Sequence, residues 1–191
     1  MSTTAIVIAV VVVVVLLIAA FILWRRERTG KLRSRFGPEY ARTVEDVGSR
    51  RKAEAELRER QARVAAFSLR DLTAEDRTRF SDAWARVQAE FVDDPPAAVV
   101  HADVLLGDVM KARGYPVADF EQRAADISVD HPIVVENYRA AHDIAMRHTS
   151  GQATTEDLRQ AMVHYRRLFE ELTHGEAALQ PAPAPAARSA R

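Results

Sequence analysis

Six histidines are the residues of this 191-residue chain best suited to metal chemistry. They are His101, His131, His142, His148, His164 and His174. A zinc site on one helix needs two ligands about one turn apart, and no two of these histidines are spaced by three or four positions. The chain has no cysteine, which excludes thiolate zinc sites, iron–sulfur clusters, disulfides and cysteine nucleophiles. We therefore predict no metal site and no cofactor; a metal site assembled from separate helices is the alternative.

Other spacings that carry catalysis are missing or weak. Neither glycine-rich phosphate-binding pattern occurs, and there is no G-x-S-x-G elbow for a serine nucleophile. The pair His142-Asp143 resembles the dipeptide of metal phosphohydrolases, but this composition yields roughly 0.4 such pairs by chance. Tyr138 and Tyr165 lie at helical spacing with other apolar residues, which favours a core over a cofactor cavity. We predict no catalytic residue and a protein that is not an enzyme.

A long apolar run near the N-terminus predicts a membrane anchor. Residues 5–24 read AIVIAVVVVVVLLIAAFILW, without one polar side chain. A helix of this length is about 30 Å long, which matches the hydrocarbon thickness of a bilayer. A cleaved signal peptide needs a positive segment before a shorter apolar core, whereas this run is preceded only by MSTT. We expect an uncleaved single-pass transmembrane helix.

The charges beside this run predict its orientation. Residues 25–35, RRERTGKLRSR, hold six of the 27 basic residues and one of the 27 acidic ones, which leaves 21 basic and 26 acidic residues elsewhere. Positive charge favours the cytoplasmic side, so we expect the N-terminus outside and the body in the cytoplasm, at the inner (plasma) membrane. A body outside the cytoplasm is the alternative.

The residues predicted to contact lipid headgroups are Arg25, Arg26, Arg28, Lys31, Arg33 and Arg35. The mildly acidic remainder argues against nucleic acid as a partner.

Composition and periodicity divide the chain into four segments. We predict an anchor with a basic arm at 1–35, a charged helical stalk at 36–67, a small antiparallel helical bundle at 68–175 and a disordered Pro/Ala tail at 176–191. No segment alternates apolar and polar residues with period two, so the predicted fold is all-α without a sheet.

Local signals predict where the helices of the bundle begin and end. Thr73, Asp94 and Thr154 are placed to cap three helix starts. Gly114 is expected to end one helix with a positive φ, and Pro132 to start another of about 18 residues. In the stalk, three ion pairs at i,i+4 spacing are predicted: Glu54–Arg58, Glu56–Arg60 and Glu59–Arg63.

The stretch GYPVADFEQRAADISVDHP, residues 114–132, has two interpretations. Its glycine and prolines fit a structural corner between helices, with Phe120, Ala124 and Ile127 facing inward. Its polar residues fit a partner-binding surface, because loop positions carry function more often than core positions. That candidate surface consists of Tyr115, Asp119, Glu121, Arg123, Asp130 and His131.

Several segments together resemble a known group of proteins. RFGPEY (35–40), ARGYPVADFEQRAADISVDHP (112–132), VVENYRAAH (134–142) and TEDLRQAMVHYRRLFEEL (155–172) are similar to a family of uncharacterised bacterial single-pass membrane-anchored helical proteins with no assigned activity. The resemblance implies a bacterial source and one anchor with a helical body. It supplies no catalytic residue.

The sequence therefore leaves two hypotheses of function. The first is a membrane-anchored cytoplasmic helical scaffold that contacts the bilayer through residues 5–24 and binds another protein. The second is a ligand- or metal-binding helical sensor or hydrolase that uses histidines and tyrosines of the bundle. The sequence leaves the partner and the oligomeric state undetermined.

Overall fold

The computed structural model describes residues 12, 13, 16, 17, 19, 20, 27, 29–116 and 118–175. All regular structure in these residues is helical, which confirms the all-α prediction. Residues 29–36 are helical and precede seven further helices. These are α1 (Pro38–Val47), α2 (Arg50–Ala65), α3 (Ala74–Glu90), α4 (Pro95–Ala112), α5 (Phe120–Asp130), α6 (Val135–Thr149) and α7 (Thr155–His174).

The predicted caps all lie at helix starts. The Thr73 hydroxyl accepts a hydrogen bond from the Asp76 amide at the start of α3, and Asp94 caps α4 with Pro95 in its first turn. Thr154 and Asp157 form a reciprocal capping box at the start of α7. Each bond satisfies an amide that the helix itself leaves without a partner.

Helix α6 starts later than predicted. It begins at Val135, and residues 132–134 form a turn. The expectation that a helix begins at Pro132 is therefore wrong by three positions. The His131 carbonyl accepts a hydrogen bond from the Val135 amide, and this bond spans the turn that contains Pro132. The regular helix follows that turn.

Helices α3 to α7 pack as a bundle, which confirms the predicted helical bundle. Helices α6 and α7, α4 and α7, and α3 and α4 form the most extensive pairings. One apolar core runs through the bundle and includes Leu106, Ile127, Tyr138 and Leu168, all fully buried. The Trp84 and Phe169 rings stack within it at 4.9 Å. Ala124 and Ile127 of α5 also point into this core, as the sequence predicts.

The chain forms two compact units, Met1–Ala62 and Arg63–Arg191, here called the N-terminal unit and the bundle unit. The boundary falls within α2, whereas the sequence predicts a stalk that ends at residue 67. The N-terminal unit has a small interior of its own, built from Leu32, Phe36, Tyr40, Ala53 and Leu57.

Two of the three predicted ion pairs of the stalk form. Glu54 pairs with Arg58 at 3.2 Å, and Glu56 pairs with Arg60. The predicted third pair is wrong, because Arg63 instead contacts Asp126 of α5 at 2.9 Å. Asp126 is almost fully buried and would be costly to leave without a partner, whereas an exposed i,i+4 pair contributes only about 0.3–0.5 kcal/mol.

The predicted anchor and tail lie largely outside the described residues. Of residues 5–24, only 12, 13, 16, 17, 19 and 20 are described, and they are helical. Within the described part of the chain, no helix combines the length and apolar character needed to cross a membrane. The predicted tail, 176–191, lies outside the described residues altogether.

Candidate functional site

A groove of about 500 Å³ lies between α3 and α4 in the bundle unit. Its lining consists of Arg70, Arg79, Phe80, Ala83, Leu105, Asp108, Lys111 and Ala112. The apolar members form a floor, and three cations and one carboxylate surround it. A volume of this size accommodates a small molecule or a few side chains of a bound segment.

Helix α3 supplies one wall. Phe80 and Ala83 lie on its inner face, and Phe80 belongs to the bundle core. The Arg79 guanidinium lies 4.6 Å from the centre of the Phe80 ring, an arrangement that favours a cation over the aromatic face. Arg79 also contacts Asp76 at 2.8 Å on the exposed surface. The Thr73 cap fixes where α3 begins and thereby sets which side chains face the groove.

The segment that carries Arg70 is held against the end of α4. The Arg70 backbone amide donates to the Arg113 carbonyl at 2.9 Å, and its Nε donates to the Ala112 carbonyl at 2.8 Å. Gly114 permits this approach, because a Cβ at that position would lie 2.4 Å from the Ser68 carbonyl oxygen. Its φ of +95° also favours glycine. The cation at this end of the groove is therefore positioned by backbone contacts.

The groove is electropositive. Its lining holds three cations and one carboxylate, Asp108, and Arg79 is also paired with Asp76. The side chains of Lys111 and Asp108 make no hydrogen bond or ion pair with another described residue. Lys111 and Asp108 are both exposed at the end of α4. Such a rim attracts carboxylates or phosphates, and the apolar floor accepts an aliphatic or aromatic side chain. The lining contains no serine, histidine or other nucleophile–base pair, so its chemistry is that of binding.

The surface predicted at the 114–132 corner divides between exterior and interior. Asp119, Glu121 and Asp130 are exposed. Asp119 caps α5 by accepting from the Gln122 amide at 2.9 Å, and Glu121 contacts Arg139 at 3.3 Å. The other three residues, Tyr115, Arg123 and His131, contact the protein interior.

The three inward residues each have a structural contact. Tyr115 is 3% exposed, and its ring contacts the Phe67 ring edge-on. Its burial, with a smaller effect from the charge of Asp130, raises its pKa to about 12. His131 follows the end of α5, and its Nδ1 lies 2.8 Å from the Oε1 of Glu171 in α7. These contacts fit the structural interpretation of the corner for half of the predicted surface.

Arg123 belongs to a buried polar cluster that the sequence did not predict. It donates to Asp103 of α4 at 3.0 Å, close to the fully buried Tyr138 of α6 and Tyr165 of α7. Burial, and then the nearby Asp103 charge, raises the pKa of both tyrosines. Burial lowers the pKa of Arg123, but the effects of Tyr138 and Asp103 outweigh it and leave that pKa raised. Neither tyrosine hydroxyl has a hydrogen-bond partner within the described residues.

The histidines do not assemble into a metal centre in the part of the chain that the structure describes. No group of three or more metal-ligating side chains occurs there. His101 and His164 pair individually with Glu90 and Asn137. The ring of His142 stacks on Phe120 at 3.5 Å, which gives a packing role to the pair His142-Asp143.

The six basic residues predicted to contact lipid fall into two groups. Arg25, Arg26 and Arg28 lie outside the described residues. Lys31 pairs with Glu27 at 2.8 Å, and the guanidinium of Arg33 lies 5.7 Å from the centre of the Tyr40 ring. Lys31 and Arg35 both line a second groove, in the N-terminal unit.

Sequence reasoning did not identify the α3–α4 groove. Arg70 and Lys111 are far apart in the sequence, and their segments meet through the close approach of Ser68 to Gly114 and the hydrogen bonds from Arg70 to the end of α4. A cation stabilises the last turn of a helix, so the position of Lys111 gave no reason to expect a binding site there. A glycine followed by Tyr115-Pro116 predicted the end of α4 but not which segment lies against it.

No family model, curated protein or solved structure matches this chain. The resemblance to bacterial membrane-anchored proteins therefore stays a prediction.

Proposed function

We propose that this protein is a single-pass membrane-anchored adaptor whose cytoplasmic bundle binds a short acidic segment of a partner protein. The observation that carries the proposal is the α3–α4 groove, with three cations around an apolar floor. A partner segment with carboxylates on both sides of one apolar side chain matches both features. The carboxylates meet Arg70, Arg79 and Lys111, and the apolar side chain packs over Ala83 and Leu105.

Binding to a protein segment fits this groove better than catalysis. Its lining offers charges and apolar surface but no nucleophile with an adjacent base. The rim is open and the cations are on three different segments, which suits an extended ligand. Charge complementarity of this kind raises the association rate and selects among partners.

The anchor and the topology belong to the same proposal. Residues 5–24 would hold the bundle at the inner membrane, with the basic arm at 25–35 on the cytoplasmic side. Reporter fusions at the two ends of the full chain test this orientation. We expect a periplasmic reporter to be active only at the N-terminus and a cytoplasmic reporter only at the C-terminus. The reverse pattern would contradict a cytoplasmic bundle.

Peptide binding tests the groove directly. The full chain in neutral nanodiscs is titrated with a fluorescent peptide that carries several glutamates around one leucine. Lys111→Glu should weaken binding about tenfold or more, since it replaces an attraction with a repulsion. Lys52→Glu is the matched control, because Lys52 is exposed on α2 and does not line the groove.

Three further measurements make the result specific. High salt should weaken binding to the wild type, since the rim is exposed to solvent. Replacing the glutamates of the peptide with glutamines should abolish binding, and replacing its leucine with serine should weaken it. Equal affinities for the Lys111→Glu and Lys52→Glu variants would refute the groove as the binding site.

The ligand-sensor hypothesis has one observation in its favour. The buried hydroxyls of Tyr138 and Tyr165 lie near the Asp103 carboxylate, and burial together with that charge raises the pKa of both, but neither makes a hydrogen bond of ordinary geometry with a described residue. A polar ligand could supply that partner. Native mass spectrometry of the purified full chain tests this function. A reproducible copurified small molecule that is lost in a Tyr138→Phe, Tyr165→Phe variant would support it, and a single ligand-free mass would refute it.

A further inference from the structure

A second groove, of about 440 Å³, lies in the N-terminal unit. It is lined by Lys31, Leu32, Arg35, Arg58 and Gln61. The first three lie on one face of the helical segment 29–36, and the last two are one turn apart on α2. The lining thus contains three cations, one amide and one apolar side chain, and no carboxylate.

Two cations of the groove, Lys31 and Arg58, have partners that leave some of their donors unused. Lys31 contacts Glu27 at 2.8 Å, but both side chains are largely exposed, so this pair is weak. The Arg58 side chain uses one nitrogen to contact Glu54 and makes no other hydrogen bond within the described residues. The Gln61 side chain makes none there. Donors of two kinds, charged and neutral, are therefore directed to the same small volume.

Glu54 fixes the position of Arg58. Its carboxylate is nearly buried, and one oxygen accepts from Thr29 at 2.9 Å and from Tyr40 at 3.0 Å, while the other accepts from Arg58 at 3.2 Å. Burial raises the pKa of Glu54, but the hydrogen bonds from Thr29, Tyr40 and Arg50 outweigh that effect and lower the pKa. Glu54 is therefore ionised at neutral pH and holds one side of the Arg58 guanidinium.

We infer that this groove binds the phosphate of an anionic phospholipid headgroup, with Arg58 and Gln61 of α2 completing a site begun by Lys31 and Arg35. This inference rests on the proposed membrane anchor. Guanidinium groups bind phosphate oxygens through paired donors, and an amide donates to the remaining oxygens or to a glycerol hydroxyl. Leu32 is buried beneath the groove and gives it a rigid apolar base.

The position in the sequence favours a lipid over a free anion. Lys31 follows the predicted span by only seven residues, so the chain itself keeps the groove near the membrane surface. The attraction of cations to an anionic membrane acts within about one Debye length, roughly 8–10 Å in salt near physiological strength. A tethered groove at this distance meets headgroups at high local concentration.

Lipid binding by the full chain provides the test. The protein is purified in neutral detergent and titrated with phosphatidylglycerol or phosphatidylcholine, and bound lipids are counted by native mass spectrometry. Wild type should retain phosphatidylglycerol in preference to phosphatidylcholine. Arg58→Gln should lower the phosphatidylglycerol affinity about fivefold, in line with the loss of one cationic contact at a membrane surface.

Two further variants separate binding from folding. Gln61→Glu places a carboxylate in the groove without touching the Glu54 contacts, and it should also lower the phosphatidylglycerol affinity. Lys52→Gln is the matched control, since Lys52 lies nine residues from Gln61, about half a turn around α2. It should leave the affinity unchanged.

The outcomes distinguish this inference from the proposed anchor. Flotation with phosphatidylcholine vesicles tests the anchor alone, and loss of flotation would overturn both. Flotation with equal phosphatidylglycerol binding in wild type, Arg58→Gln and Gln61→Glu would overturn only the headgroup site. Displacement of the lipid by millimolar inorganic phosphate would identify a free-anion site and would also overturn it.

Discussion

The N-terminal unit and the bundle unit differ most in what they bury. Among described residues, the N-terminal unit buries four polar side chains (Thr29, Glu39, Thr43, Glu54) beside five apolar ones, whereas the bundle unit buries five polar side chains beside 28. The small unit therefore depends on carboxylates that accept hydrogen bonds, and the bundle depends on packed apolar volume. The two units should therefore be most sensitive to different kinds of substitution.

Removal of apolar volume from the bundle should have the largest effect. Leu106 is fully buried in α4, and Leu106→Ala should destabilise the bundle by about 3–5 kcal/mol through lost burial and the cavity left behind. Hydrogen exchange with mass spectrometry on the full chain reports each unit separately. Protection should fall throughout α3 to α7. Val104→Ala, at an exposed position of the same helix, is the control, and an equal loss from both variants would contradict the packing argument.

The Ser68–Gly114 contact gives the second largest expected effect. In Gly114→Ala the new Cβ would lie 2.4 Å from the Ser68 carbonyl oxygen, on a residue whose φ is positive. We therefore expect a loss of about 2–4 kcal/mol in the free energy of unfolding. Gly151→Ala shares the positive φ but meets no atom within 4 Å, so it should cost only about 1–2 kcal/mol. Thermal unfolding of both variants in neutral detergent measures the difference. Equal costs would mean that backbone conformation alone, and not the close approach, determines the effect.

A polar substitution should be most harmful in the N-terminal unit. Glu54→Gln removes the charge that accepts from Thr29, Tyr40 and Arg58, and we expect a loss of about 1–3 kcal/mol in that unit alone. Exchange protection should fall in residues 29–62 and stay unchanged in α3 to α7. Glu59→Gln is the control on the same helix, since Glu59 is exposed. An effect spread equally over both units would contradict the separation of their interiors.

These contacts mark the limit of what the sequence predicted. Thr73, Asp94 and Thr154 were correct as caps because a cap depends on residues within one turn. Glu54 was correctly paired with Arg58, but its contacts with Thr29 and Tyr40 join residues 25 and 14 positions apart, and no periodic pattern encodes them. The sequence predicted a charged helical stalk at 36–67, whereas part of this segment has an interior in which buried hydrogen bonds accompany the apolar contacts.

The candidate sites were less predictable than the fold. The glycine, prolines and polar residues at 114–132 led to the prediction of a partner-binding surface. Tyr115, Arg123 and His131 of that surface instead contact the interior. Both grooves instead combine apolar side chains with exposed cations from separate segments, which become neighbours through helix packing. Lys31 and Arg35, one turn apart, were predicted as lipid contacts, but Arg58 was not. Each such residue has a sufficient local explanation, such as a helix end or a membrane-facing arm. Sequence alone could not separate these roles from a shared binding surface.

Acid should distinguish the two interiors further. The pKa of Glu54 is lowered in the folded protein, so its contribution to stability is present above the unfolded value near 4.5 and is lost as pH falls through the folded value. The free-energy difference between wild type and Glu54→Gln should therefore shrink below about pH 4.5. Exchange protection of residues 29–62 measured from pH 7 to pH 3 checks this. A difference that stays constant over this range would mean that Glu54 stabilises through shape rather than charge.

The smallest expected effect concerns a histidine of the bundle. The His164 Nδ1 lies 2.9 Å from the Asn137 Oδ1, which also accepts a hydrogen bond from Arg167. Burial, with a smaller effect from the Arg167 charge, lowers the pKa of His164. The unfolded chain then binds a proton more readily than the folded one, so bundle stability should fall as pH drops below about 6.5. His164→Gln should remove this slope, a change of less than about 1 kcal/mol between pH 7 and pH 5. His174→Gln, at an exposed position of the same helix, should keep it. An unchanged slope in His164→Gln would assign the pH dependence to another group.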